Sequence, residues 1–266
     1  MAEMWAEGDA YEYFMGRWSR LVAPRFLAWL DLPPGLRWAD IGCGTGALTL
    51  TLLALADPAF VLALEPSPGF LATARAQVKD RRVDFHEGST ELLEGERVDV
   101  VAAGLVVNFL PDPRAALRAF VRAAPGGTVA AYVWDYDDGM QLLRRFWEVA
   151  TDVAGHPVAQ SEISRFDLTD PARLEELWRD AGLQDVQVAG LEVETVFDDF
   201  EDYWSPFLGG QGPAPAYVMS LDETHRGRLR EALEENLAPD DDGTIRLVAR
   251  AWAVRGRVPG GPAGRA

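Results

Sequence analysis

The chain has 266 residues, 48% of them apolar and 25% charged, proportions of an ordinary folded protein that exclude wholesale disorder, collagen and a long coiled coil. Acidic side chains outnumber basic ones 42 to 25, and the resulting formal charge of −17 repels phosphate backbones and anionic lipid, which sets nucleic acid and membrane surfaces aside as partners. At roughly 150 residues per domain, the length allows one large domain or two small ones.

In chain order, Phe14, Trp18, Leu21, Val22, Trp29 and Leu30 recur at helical spacing, and Pro33, Pro34 and Gly35 end the pattern. Short apolar runs then alternate with helical ones. The patterning predicts a strand over 38–41, a helix over 47–55, a strand over 60–64, a helix over 68–79, a strand around 83–85 and a strand over 98–103. Asp112 before Pro113 is an N-cap followed by proline at the first helical position, opening a helix through Arg122, and a fifth strand covers 128–134. Strands alternating with helices imply right-handed βαβ crossovers and a mostly parallel sheet with helices on both faces. A helix over 141–154 follows. Asp170-Pro171 repeats the capping signal ahead of a helix closed by Gly182, and strands over 186–196 and 245–254 bring the total to seven. Between them lies an aromatic-rich insert, 197–239, of a length usual for a lid, with a helix over 222–237 whose buried stripe is Leu229, Leu233 and Leu237. The expectation is one domain over 1–255, made of a helical cap (1–36), a half carrying the glycine-rich loop (37–135) and a second half holding the insert (136–255), with a frayed tail over 256–266. Glu3, Glu7 and Asp9 stand where a secretory signal would be basic, the apolar stretches fall short of the ~20 residues of a spanning helix, and the single Cys43 excludes an internal disulfide. A cytoplasmic protein is expected.

One constellation carries chemistry. A strand ending Trp38-Ala39-Asp40-Ile41 runs into Gly42-Cys43-Gly44-Thr45-Gly46, and a helix follows at once. Glycines let such a loop turn tightly and approach a ligand, while helix N-terminal amides face it. Glu65 ends the next strand about 20 residues later, where a carboxylate accepts both hydroxyls of a ribose. The spacing G-x-G-x-G, with Ala47 at the place of a third dinucleotide glycine, leaves NAD open alongside other nucleotides.

From Asp40 through the D-x-G-C-G-T-G loop, Glu65-Pro66-Ser67, Gly88-Ser89-Thr90, Leu105 to Pro113 and Ala181-Gly182-Leu183, the sequence resembles class I S-adenosylmethionine (SAM)-dependent methyltransferases, in the small-molecule, type 11/25-like branch. The resemblance implies a Rossmann-like α/β fold, a seven-stranded mostly parallel sheet with the last strand antiparallel, plus the helical cap and inserted lid. It implies SAM as cofactor, S-adenosylhomocysteine as product and no metal. The cofactor contacts it implies are Arg17, Asp40, Gly42, Cys43, Gly44, Glu65, Pro66, Ser67, Ser89, Thr90 and Leu105. Asp40 would suit the amino group, Glu65 the ribose diol and Arg17 the methionine carboxylate; Arg17 reads equally as a solvated helix face and Trp18 as core. Related enzymes commonly carry Asp at position 89, so Ser89 departs from the pattern for the adenine contact.

Other residues complete the reading. Cys43 at a helix N-terminus suits a nucleophile, or simply a small residue that fits the loop. His86, His156 and His225 have no metal-ligand spacing. Asn108 follows the fourth strand, placed either to orient a nucleophile or to cap the adjacent turn, and Asp135 after the fifth is the candidate base. Phe200, Tyr203, Trp204, Phe207 and Tyr217 either line an apolar acceptor pocket or form the insert's own core. Methyl transfer to a small-molecule acceptor is the leading function, with an NAD-dependent oxidoreductase and a non-catalytic SAM-binding protein as alternatives.

Overall fold

Seven strands form one sheet in the order β3-β2-β1-β4-β5-β7-β6, with β1 Arg37–Ile41, β2 Phe60–Glu65, β3 Val83–Glu87, β4 Val100–Gly104, β5 Thr128–Trp134, β6 Gln184–Phe197 and β7 Ile245–Arg257. The five strands of the first half pair in parallel, whereas β7 is antiparallel to both β5 and β6. In this computed structural model the described residues are 16–158, 167–209 and 212–260. Phe14 and the rest of the expected cap before residue 16, Gly210 and Gln211 of the insert, and the tail beyond 260 lie outside them.

Nine α-helices are described: α1 Arg17–Leu30, α2 Ala47–Leu55, α3 Pro68–Gln77, α4 Pro113–Ala123, α5 Gln141–Ala154, α6 Pro171–Asp180, α7 Phe200–Trp204, α8 Pro213–Ser220 and α9 Glu223–Asn236. Side chains start them where the sequence suggests. Asp112 Oδ1 accepts the Ala115 N–H at 2.9 Å, Asp170 the Ala172 N–H at 2.8 Å and Asp222 the His225 N–H at 2.8 Å, each satisfying an amide that the helix cannot.

Two cores flank the sheet. On one face α4 and α6 bury Leu117, Phe120, Leu174 and Trp178 against Val101, Val129 and Val133, and Trp178 Nε1 donates to the Val129 carbonyl at 3.1 Å. On the other, α1, α2 and α5 bury Val22, Phe26, Leu52 and Phe146 against Trp38 and Tyr132. Arg255 of β7 donates to the Leu30 carbonyl at 2.7 Å, pinning the end of α1 beside the start of β5. At 1.5 Å rise per residue, α1 therefore begins about 20 Å away, at the carboxyl edge of the parallel strands.

The insert joins this second core rather than standing off it. Tyr203, Trp204 and Phe207 are buried, Phe207 stacks on Phe146 at 4.6 Å, and the Tyr203 hydroxyl donates to the Leu142 carbonyl at 3.1 Å. Leu229, Leu233 and Leu237 are buried as expected from their spacing. Of the two readings of the insert's aromatics, the core holds for these three, while Phe200 and Tyr217 stay half-buried at its border. Among the described residues no helix is long and apolar enough to cross a membrane.

Candidate active site

The tips of β1 and β2 bring two carboxylates under one loop. Gly42, Gly44 and Gly46 adopt φ of +64°, +57° and +95°. Gly42 is required twice, by its left-handed backbone and because a Cβ there would lie 2.4 Å from Val106 Cγ2. Among the described residues an added Cβ at Gly44 would have no heavy atom nearer than the Gly42 carbonyl oxygen at 4.0 Å, so this side of the loop is open. Register places Ile41 opposite Leu64, so Glu65 lies alongside the loop's first glycine. Its Oε2 accepts the Gly44 N–H at 3.0 Å and its Oε1 the Ser67 N–H at 2.8 Å. Burial raises the Glu65 pKa, and these two amides oppose the rise.

Asp40 sits beneath them, 1% exposed. Its Oδ2 accepts the Thr49 hydroxyl at 2.6 Å, while its Oδ1 is buried without a partner among the described residues. Burial pushes its pKa up to about 7, with the Thr49 hydrogen bond pulling down and the neighbouring Glu65 charge pushing further up. A buried carboxylate oxygen without a partner is a standing demand for a donor. Burial, reinforced by Asp40 and Glu65, also pushes the Cys43 thiol up, which leaves it protonated and without nucleophilic character.

The adjoining edge is built by β4 and β5. Leu105, not a glycine, holds φ +60°, with its N–H on the Tyr132 carbonyl at 2.8 Å. Such a left-handed residue costs about 1–2 kcal/mol and marks a constrained site. It turns the chain so that Val106 packs on Gly42 and Asn108 enters a 3₁₀ turn, Val107–Phe109. Among the described residues Asn108 Oδ1 is buried with no hydrogen-bond partner, so it does not cap the adjacent turn. Asp135 is fully committed elsewhere. Its Oδ2 takes Arg250 Nη2 at 2.6 Å and Nε at 2.8 Å, and its Oδ1 takes the N–H groups of Asp137 and Asp138, both at 3.2 Å. The expected base is thus a buried strut between β5 and β7, with no free oxygen for a substrate proton. Arg17, placed at the cofactor carboxylate by resemblance, gives Nη1 to both Asp202 oxygens at 2.8 and 3.0 Å and lies over the Trp18 and Phe197 rings at 4.2 and 4.8 Å. It ties the cap to the insert. Trp18 meets Phe197 edge-on at 5.1 Å and belongs to the core.

Residues 39–131, which span the loop, both carboxylates and the β4 turn, match the methyltransferase domain family. The chain carries a class I SAM-dependent methyltransferase domain. Among sequence relatives of this domain, trans-aconitate 2-methyltransferase of Methylobacterium nodulans is 34% identical over 158 residues, covering 57% of each chain. The tRNA (adenine(58)-N(1))-methyltransferase TrmI of Thermus thermophilus is 29% identical over 150 residues, covering 48% of this chain and 58% of that one. The chain thus spans little more than half the length of the curated relatives it matches. Among solved structures, Haemonchus contortus phosphoethanolamine N-methyltransferase 2 in complex with SAM superposes with a TM-score of 0.53 at 18% identity, covering 96% of this chain and 57% of that one.

Within the methyltransferase domain, Asp40, Gly42, Cys43, Gly44, Glu65, Pro66 and Ser67 converge around the glycine loop, and Leu105 adjoins it through Val106. Ser89 and Thr90 follow β3, where Ser89 presents no acid; its N–H instead donates to Glu91 Oε1 at 2.6 Å. Among the described residues no group of three or more His, Cys, Asp or Glu side chains is arranged to hold a metal.

Proposed function

We propose that this domain transfers a methyl group from SAM to a small-molecule acceptor. The observation that carries the reading is the unpartnered Oδ1 of buried Asp40, set beside Glu65 under a loop whose Gly44 side is open. Asp40 would hold the amino group, Gly42 and Gly44 would admit the backbone-close approach, Glu65 would take the ribose hydroxyls, and Pro66, Ser67, Ser89, Thr90 and Leu105 would border the nucleoside. Bound SAM supplies a methyl carbon already activated by its sulfonium. The chain's task is to position the acceptor and exclude water, contributions worth several kcal/mol without a strong catalytic group. The charge of −17 favours a small molecule over tRNA, because nucleic-acid binding draws its affinity from basic surface.

Calorimetric titration with SAM, S-adenosylhomocysteine and NAD tests the cofactor. Tight binding of the first two is expected, and binding of NAD alone would replace this reading with an oxidoreductase. Labelled SAM offered with a mixed metabolite extract and, separately, with tRNA tests the acceptor. Label in tRNA, or SAM binding with no transfer to any metabolite, overturns small-molecule methylation. Glu65→Ala should weaken SAM by about 1.5–3 kcal/mol, the range for hydrogen bonds to a charged acceptor. An unchanged dissociation constant would remove Glu65 from the site.

A further inference from the structure

Threonine hydroxyls on helices usually bond back to the carbonyl one turn earlier. Thr51 on α2 does so with Ala47 at 2.8 Å, and Thr73 on α3 with Gly69 at 3.2 Å. Thr49, in the first turn of α2, instead directs its hydroxyl out of the helix onto Asp40 Oδ2 at 2.6 Å. The bond spans nine positions, from the end of β1 to α2, with the whole glycine loop between its ends. Both side chains are buried, Thr49 completely and Asp40 to 1% exposure.

This bond decides how the Asp40 carboxylate lies. Register sets Ala63 of β2 and Ala102 of β4 on either side of Asp40, and neither side chain can donate a hydrogen bond. Rotation of a carboxylate about its last side-chain bond is soft, so small apolar neighbours fix its plane only weakly. A hydroxyl at 2.6 Å fixes it firmly, because that length lies in the range of about 2.5–2.7 Å for hydroxyl donors to an ionised acceptor, roughly twice as strong as neutral pairs.

The same bond favours the ionised acid. Burial raises the Asp40 pKa, the Thr49 hydroxyl opposes the rise, Glu65 on β2 adds to it, and the Thr49 backbone amide opposes it again. α2 has no charged side chain to contribute, and Cys43 of the loop stays protonated. Among the described residues the downward pull on this acid therefore comes from Thr49.

Resting on the methyl-transfer reading above, we propose that Thr49 is a positioning residue for SAM, its hydroxyl holding Asp40 by Oδ2 so that Oδ1 receives the amino group of the cofactor. Thr49 acts through the aspartate, and its loss is felt in how Asp40 binds.

The test is calorimetric titration of SAM, between pH 6 and 8.5, into the full chain and into Thr49→Val, which keeps the branched shape and the backbone amide and loses the hydroxyl. Losing a hydrogen bond to the charged form raises the acid's pKa, and SAM needs that form, so the pH below which affinity falls should move up by about one unit. The Kd of Thr49→Val should then be about tenfold weaker than the parent's at pH 6 and about twofold weaker at pH 8. The amino group of SAM titrates alike against both proteins, so the ratio of the two Kd values reads the protein. Thr49→Ser, which restores the hydroxyl, should return affinity and pH profile close to those of the parent. If Thr49→Val does not fold, Thr49→Ala and Thr49→Ser, which differ by the hydroxyl alone, make the same comparison. A Kd ratio that is the same at pH 6 and pH 8, whatever the change in Tm, marks Thr49 as purely structural and overturns the proposal while leaving methyl transfer intact. Thr49→Ser behaving like the variants without a hydroxyl overturns it equally. Absence of SAM binding to the parent at every pH removes the methyl-transfer reading and this proposal with it.

Discussion

Gly42→Ala should destabilise the protein by about 2–4 kcal/mol, the sum of a left-handed alanine and an overpacked contact. The second contribution decides the size, because the added methyl would sit 2.4 Å from Val106 Cγ2 and 2.9 Å from its Cβ. Valine is stiff at χ1, so relief has to come from the backbone of the β4 turn, already held at Leu105 φ +60°. Gly44→Ala has the same backbone penalty, about 1 kcal/mol, and no clash. Its methyl fills the open space instead, so stability should fall little while SAM affinity falls steeply. Urea unfolding and calorimetric titration of both variants separate the two roles. Adding Val106→Ala should return much of the stability lost in Gly42→Ala, and no recovery would show that the contact is not the source of the loss.

Those two glycines also mark how far the sequence could be read. A glycine loop between an apolar strand and an apolar helix has a local cause, and so do the Asp-Pro caps at residues 112 and 170, so these elements and the positions of Asp40 and Glu65 were legible from neighbours in the chain. Polar strand ends were not. β6 begins at Gln184, before the expected 186, through a bulge in which Asp185 takes φ +52°, and β7 runs past 254 through Arg255, Gly256 and Arg257, which carry little apolar signal. No helix was expected over 213–220, where Pro213 and Pro215 carry no helical signal, yet both fall in the first turn of α8, where no N–H is required of them.

Partnerships across the fold were beyond sequence patterning altogether. Asp135 and Arg250 are 115 positions apart, and Arg17 and Asp202 are separated by 185. Nothing near Asp135 signals that both its oxygens will be taken, which is why a residue in the right place for a base proves to be a strut.

SAM affinity should depend on pH through Asp40, in a window set by its raised pKa. In the folded, ligand-free site the group holds its proton up to about 7, against 3.8 for an ordinary aspartate. The folded state therefore binds the extra proton between those values, and the stability associated with it is present below about pH 4 and lost as pH rises through 7. A shift of that size is about 4 kcal/mol of differential burial cost on the charged form. An ammonium group beside Oδ1 favours the carboxylate, so binding below pH 7 must expel the proton. The Kd for SAM should then weaken as pH falls from 8 to 6, approaching tenfold per unit below 7, with proton release visible when the titration is repeated in buffers of different ionisation enthalpy. Glu65, whose pKa burial also raises, lies in the same site, so the assignment rests on Asp40→Asn. That variant keeps an acceptor for Thr49 and removes the buried charge. It should be more stable than the parent at pH 8, bind SAM more weakly there, and lose the pH dependence. A profile that keeps its slope in Asp40→Asn would assign the titration to another group.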